Sequence, residues 1–411
     1  MTDALTDPPA APVWARSDAF PPAPAGYGWL DVKQRQHPCD SLESLKSQVR
    51  DDRNASVLLV WTPACSSMQL PEEMPAFESD LAIARERWTR EDLETAALRV
   101  RWFAVGLFGL SAWQFIRGMA AASQRFGADT LAERLWVGLA YVLNSTTLGL
   151  FLLGWIIFGF IPWYQARKRR AELGTGTAES AAALLPVFRF ESWLILQRAP
   201  VTRYFLGLMA LVGLAQLLTT HSTATAGLVK FSYLQGEWWR LFTAPFLHGN
   251  VVHFLMNMAA LVYLGKRLEV FARWPHLPLV FLFAASVGGE ASALLVTATS
   301  VGASGGLMGW LGFLIVFESL HGKLVPRSAR RRLVAGVLLT GLIGLLGYRF
   351  IDNAAHLGGL LAGMAYAAIV FPKSASSNRP STNLTDLLAG GAGLLVLTAS
   401  AAFAVLRMAT A

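Results

Sequence analysis

Ser304 stands in Gly302-Ala303-Ser304-Gly305, after a glycine-containing turn and at the start of an apolar stretch. A serine that opens a helix lies beside free backbone N–H groups and the positive end of the helix dipole, which favour a developing anion. Its hydroxyl is a weak nucleophile until a base comes within hydrogen-bond reach. The candidate base is His356, in Ala355-His356-Leu357-Gly358-Gly359, which also opens an apolar stretch. A third stretch runs from His248 to Asn257 and sets His253 and Asn257 four residues apart, on one face of a helix. Both can donate hydrogen bonds to an oxyanion, together with the Ser304 N–H. This set of residues points to acyl transfer through a serine. His248, His253 and His356 could instead suggest a metal site, but no carboxylate or thiolate clearly joins them. No metal and no other cofactor is expected.

These side chains must be carried by elements that suit an unusual composition. The chain has 411 residues, 54% hydrophobic and 15% charged, against about 25% charged in an ordinary soluble domain. Apolar segments lie at 102–122, 135–163, 204–222, 250–266, 277–298, 304–320, 333–347, 353–371 and 385–406. Each is read as a candidate membrane helix, for which about 20 apolar residues are needed. The net charge of +8 sits largely in loops at 164–203, 267–276, 321–332 and 372–384. That distribution fits orientation in a bilayer with those loops in the cytoplasm, and argues against nucleic acid as the partner. Ser304, His356, His253 and Asn257 then all start from the outer side. Gly305, Gly309 and Gly312 on one helix, and Gly359 and Gly363 on another, offer small faces that would let the two helices approach closely.

The first hundred residues read differently. Residues 1–25 are Pro- and Ala-rich and are expected to be disordered. They lack a signal peptide's basic start and apolar core, so the N-terminus is expected to stay in the cytoplasm. Residues 26–100 are read as a small soluble α/β or α+β domain. Within it, Asp40-Ser41-Leu42-Glu43 has capping-box spacing, Val57–Trp61 reads as a buried strand ended by Thr62-Pro63, and residues 78–101 read as a charged helix leading to the membrane. Cys39 and Cys65 are expected to be free thiols.

Taken together, the motifs closely resemble the rhomboid family of intramembrane serine proteases, over residues 204–371. The resemblance rests on Trp239-Arg240, on His248, His253 and Asn257, on Gly302 to Gly305, and on Ala355 to Gly359. It implies an all-α polytopic membrane protein with a six-helix core. Two extra helices at 101–163, a basic linker at 164–203, and a linker with a further helix at 372–411 would flank that core. It also implies a Ser304–His356 dyad without an acid and an oxyanion hole of His253, Asn257 and the Ser304 N–H. Glu237 and Arg240 would be structural in the outer loop. Met308 departs from the family, which often places there an aromatic ring that stacks on the catalytic histidine; a thioether can still pack on an imidazole. The activity implied is endoproteolysis of single-span membrane proteins. A plasma membrane of bacterial type is expected separately, from the absent targeting signal. Two rivals remain. One is a catalytically silent relative that binds membrane clients. The other is a transporter, which would line a path with intramembrane acids such as Glu290 and Glu318.

Overall fold

The computed structural model describes residues 11–52, 56–173, 178–348 and 351–410. The chain divides into two compact units, residues 20–185 with 340–350, and residues 1–19 with 186–339 and 351–411.

In the first unit the apolar run Val57–Trp61 forms β3, which joins β1 (Tyr27–Asp31) and β2 (Gln36–Cys39) in a three-stranded antiparallel sheet ordered β2-β1-β3. Helix α1 (Leu42–Asp51) lays Leu45 and Val49 against Val60, Phe77 and Leu81, so the domain is α+β. The helix start differs from expectation. Ser41, not Asp40, is the N-cap, and its hydroxyl accepts the Ser44 N–H at 3.2 Å. That shift puts Ser44 at the third helical position and leaves Glu43 outside a capping box. Cys39 and Cys65 are unpaired.

The expected charged helix and the first apolar segment are one 49-residue helix, α2 (Glu78–Phe126), closed by Gly127 at φ 62°. Its apolar half leaves Trp102 and Phe108 on the surface, 67% and 78% exposed. The segment at 135–163 is not a single span. Asn144 ends α3 (Leu131–Leu143), and the Ser145 hydroxyl caps α4 (Thr146–Trp155) by accepting the Leu148 N–H. A π-turn at Ile156–Phe160 then leads into α5 (Ile161–Leu173). Gly118 of α2 meets Gly138 of α3 so closely that a Cβ on Gly118 would lie 2.8 Å from the Gly138 Cα. The region expected to be a basic linker is largely helical, as α5 and α6 (Ala178–Leu196).

The second unit holds the six-helix core: α7 (Pro200–Leu218), α11 (Val251–Ala272), α12 (His276–Leu295), α13 (Ser304–Leu320), α15 (Asn353–Val370) and the greater part of α14 (Arg327–Leu346), whose end from residue 340 belongs to the first unit. Short helices α8 (Ser222–Ala226), α9 (Lys230–Leu234) and α10 (Arg240–Thr243) fold the long loop between α7 and α11. Helix α16 (Leu384–Ala409) packs on α7, α12, α8 and α10. Among the described residues five helices are long and apolar enough to cross a membrane, Thr147–Ala171, Pro200–Leu218, His276–Leu295, Asn353–Val370 and Leu384–Ala409. A sixth is counted if Arg240–Phe246 and Val251–Ala272, bent by 93°, form one span. The other expected spans fall short for visible reasons. Helix α13 has 17 residues, α14 opens on a basic cluster, and residues 102–122 continue a charged helix.

Two acids in this unit hold helices rather than line a path. Glu269 accepts the Val201 and Thr202 N–H groups and the Thr202 hydroxyl at 2.7–3.0 Å, satisfying donors that the start of α7 would otherwise leave free. Arg267, expected in a cytoplasmic loop, is inside α11. It donates to both oxygens of Glu318 at 2.5 and 2.8 Å, with the two side chains 1% and 0% exposed. Glu318→Leu strands a buried guanidinium and is expected to lower unfolding stability by about 3–5 kcal/mol. Denaturant titration in detergent micelles measures this, and a loss under about 1 kcal/mol, the scale of a surface pair, would contradict it.

The N-terminal tail is not free over its described part. Residues 1–10 lie outside the described residues, but Trp14 is buried, donates from its indole to the Leu324 carbonyl at 2.8 Å and packs edge-on against Phe190.

Candidate active site

Helix α13 begins at Ser304 because Gly302 makes the turn before it. Gly302 has φ 124°, a conformation side chains rarely adopt, and its N–H donates to the Ala244 carbonyl at 3.0 Å. The position is also filled from outside. A Cβ on Gly302 would lie 2.7 Å from His253 Cε1, 3.0 Å from His253 Nε2 and 3.5 Å from Asn257 Nδ2. The donors proposed from spacing therefore face the backbone that enters Ser304.

Those donors are held by α11, whose start is capped by Asn250 accepting the His253 N–H at 2.9 Å. Asn257, one turn on, is 6% exposed, and among the described residues its buried amide nitrogen has no hydrogen-bond partner. An unpartnered buried donor is costly, so a native one calls for an account, and a role that needs a free donor is such an account. His248 is also buried. It stacks edge-on against His253 and Phe254, with centroids 5.2 Å apart in each case, and so wedges His253 in place.

Helices α13 and α15 meet backbone to backbone. A Cβ on Gly359 would lie 2.0 Å from the Gly305 carbonyl oxygen, one on Gly363 1.9 Å from that of Gly309, and one on Gly312 2.2 Å from that of Leu360. At the top of this seam a Cβ on Gly305 would lie 3.6 Å from the Ala355 oxygen. Ser304 and His356, each next to one of these residues, thus stand on the facing first turns of the two helices, both half-buried. Among the described residues neither the Ser304 hydroxyl nor the His356 ring has a hydrogen-bond partner. Met308, one turn below Ser304, is buried, and among the described residues no aromatic ring stacks on His356.

The outer loop is pinned at several points. Arg240 donates to Glu237 at 2.5 Å and to the carbonyls of Ala224 and Gly227 at 3.1 and 2.7 Å. The Trp239 ring lies 4.6 Å from the Arg240 guanidinium, 5.1 Å from that of Arg407 and edge-on to Phe403 of α16 at 5.2 Å. No local signal in residues 385–406 marks a role for α16, and this clamp supplies one. Glu290 of α12 accepts the Tyr233 hydroxyl of α9. Sequence reasoning missed a further cluster, in which Asp352 accepts from Ser292 and Ser300, and Ser300 from Lys230 at 2.6 Å. Asp352 before an apolar helix is a legible N-cap signal; nothing local marks Ser300 or Lys230.

Residues 235–373 match the rhomboid domain. Over 205 residues the chain is 31% identical to Rhomboid protease GluP of Bacillus subtilis, covering 47% of this chain and 39% of that protein. Over 138 residues it is 36% identical to RHOMBOID-like protein 6, mitochondrial, of Arabidopsis thaliana, covering 33% and 44%. Over 139 residues it is 33% identical to Inactive rhomboid protein 2 of Homo sapiens, covering 33% and 16%. The chain thus spans less than half the length of each of these relatives. With its helical core, its apolar spans and a rhomboid domain over residues 235–373, the chain is a multi-pass membrane protein.

Proposed function

We propose that this protein is an intramembrane serine endopeptidase that cleaves single-span membrane proteins through Ser304 and His356. The observation that carries the reading is the unpartnered Asn257 amide, buried beside the turn into Ser304. A donor left free there suits an oxyanion better than a structural bond.

The chemistry follows from the positions. As the Ser304 oxygen attacks the scissile carbonyl carbon, its proton passes to His356. The carbonyl π electrons move onto oxygen, and the Ser304 N–H, the Asn257 amide and His253 stabilise that charge. His356 returns the proton to the leaving amine as the C–N bond breaks, leaving an acyl-enzyme. Water then attacks, giving a proton to His356, and the Ser304 oxygen departs and recovers it. The active site would open to the outer side of a plasma membrane of bacterial type, with residues 1–101 in the cytoplasm, as the basic loops suggest. Substrates would be cut near small residues in unstable helices.

A second reading, a silent binder of membrane clients, draws on the unbonded Ser304–His356 pair, on Met308, and on the likeness to a relative named inactive. The transporter reading loses support because Glu290 and Glu318 both have partners within the fold. Reconstitution in vesicles with a single-span substrate tests the peptidase reading. Asn257→Ala should lower kcat by about 10²–10³-fold with little change in KM, as for loss of one oxyanion donor. A wild type that cleaves nothing, or an Asn257→Ala variant within about threefold of it, contradicts the proposed site.

A further inference from the structure

Four residues before Ser304 stands Ser300, and four before His356 stands Asp352. These two earlier residues are hydrogen-bonded to each other, the Ser300 hydroxyl donating to Asp352 Oδ2. The same oxygen accepts the hydroxyl of Ser292, which is fully buried on α12. The other carboxylate oxygen accepts the Ala355 N–H at 2.9 Å and so caps α15 one residue before His356. Ser300 is fixed in turn. Its backbone pairs with Leu228 through bonds of 3.0 and 3.2 Å, and its hydroxyl accepts from the Lys230 ammonium at 2.6 Å. Lys230 is 7% exposed, a costly place for a cation unless it is compensated. The charge that acts on it is that of Asp352. Two other ionisable groups of this loop are engaged elsewhere, Glu237 with Arg240 and Tyr233 with Glu290.

We propose that Asp352 is a positioning residue, which with Lys230 as counter-charge braces the segment entering Ser304 against the first turn of α15 and so sets the Ser304–His356 separation. This inference rests on the peptidase reading. It assigns Asp352 no contact with substrate. The brace has three anchors that no motif includes: Lys230 on the outer loop, Ser292 on α12 and Ser300 before the nucleophile. Burial, partly opposed by Asp352, pushes the Lys230 pKa down to about 8. Above that pH the ammonium loses its proton and the brace its counter-charge.

The test is the rate of fluorophosphonate labelling of purified full-length protein, measured from pH 6 to 10 with the melting temperature alongside. Asp352→Asn keeps the shape and a capping oxygen but loses the charge. Its labelling rate should fall by about 10²-fold, the scale of a misplacement of about 1 Å, with a melting temperature within about 4 °C of wild type. Wild-type labelling should decline as pH rises through about 8. Lys230→Arg, whose guanidinium stays charged, should extend labelling to higher pH, and Lys230→Met should label slowly at every pH. Asp352→Asn reacting at the wild-type rate while the wild type labels would overturn the inference alone. So would a loss that merely tracks unfolding, with the folded fraction reacting normally. A wild type that does not label at all would overturn the peptidase reading and this inference with it.

Discussion

Replacing Ser304 by Ala, or His356 by Ala, is expected to lower cleavage of a single-span substrate by on the order of 10⁶-fold, and the double variant by no more than either single one. The non-additivity is the informative part. A nucleophile without its base, or a base without its nucleophile, leaves the same residue of catalysis, supplied by oxyanion donors and binding. The helices should remain folded in each variant. Both side chains are half-buried and, among the described residues, neither has a hydrogen-bond partner to lose. Substrate cleavage in vesicles with unchanged melting temperature measures this. Single variants that keep a tenth or more of the activity, roughly 1.4 kcal/mol of barrier, would remove the dyad from the account.

The second large effect is expected at Gly359. A Cβ there would fall 2.0 Å from the Gly305 carbonyl oxygen, and what it meets is backbone, which has no rotamer to escape into. Gly359→Val must push α15 away from α13, and that separation is also the one that sets Ser304 against His356. Overpacking of this kind costs about 1–3 kcal/mol for added methylenes, occasionally more. Here both stability and labelling are expected to fail together. Gly391→Ala on α16 is the control, because its Cβ would meet nothing within 4 Å. Unfolding in micelles and labelling rate are the readouts. A stable, active Gly359→Val would show that the two helices need not touch for the site to form.

Which parts of this arrangement the sequence revealed depends on how far each cause reaches along the chain. The starts of α13 and α15 were legible because glycine, a cap and an apolar run are local signals, and both helices begin where expected, at Ser304 and Asn353. The glycine faces of α13 and α15 were legible because their spacing is a helix period. The pairing of Arg267 with Glu318, 51 residues away, is not written in either neighbourhood. It compensates a guanidinium inside α11, which runs to Ala272, past the start of the expected basic loop. The Trp14 bond to Leu324 joins residues 310 apart, so a Pro- and Ala-rich start looked featureless. The break in 135–163 had a local mark, Asn144-Ser145, but an apolar run on either side masked two capping residues.

The most direct test of the central claim is fluorophosphonate labelling of folded wild-type protein in detergent, with the modified residue located by peptide mass spectrometry. One adduct is expected, on Ser304, lost in Ser304→Ala and in His356→Ala. A folded wild type that takes no label, or takes it on another serine, would contradict it.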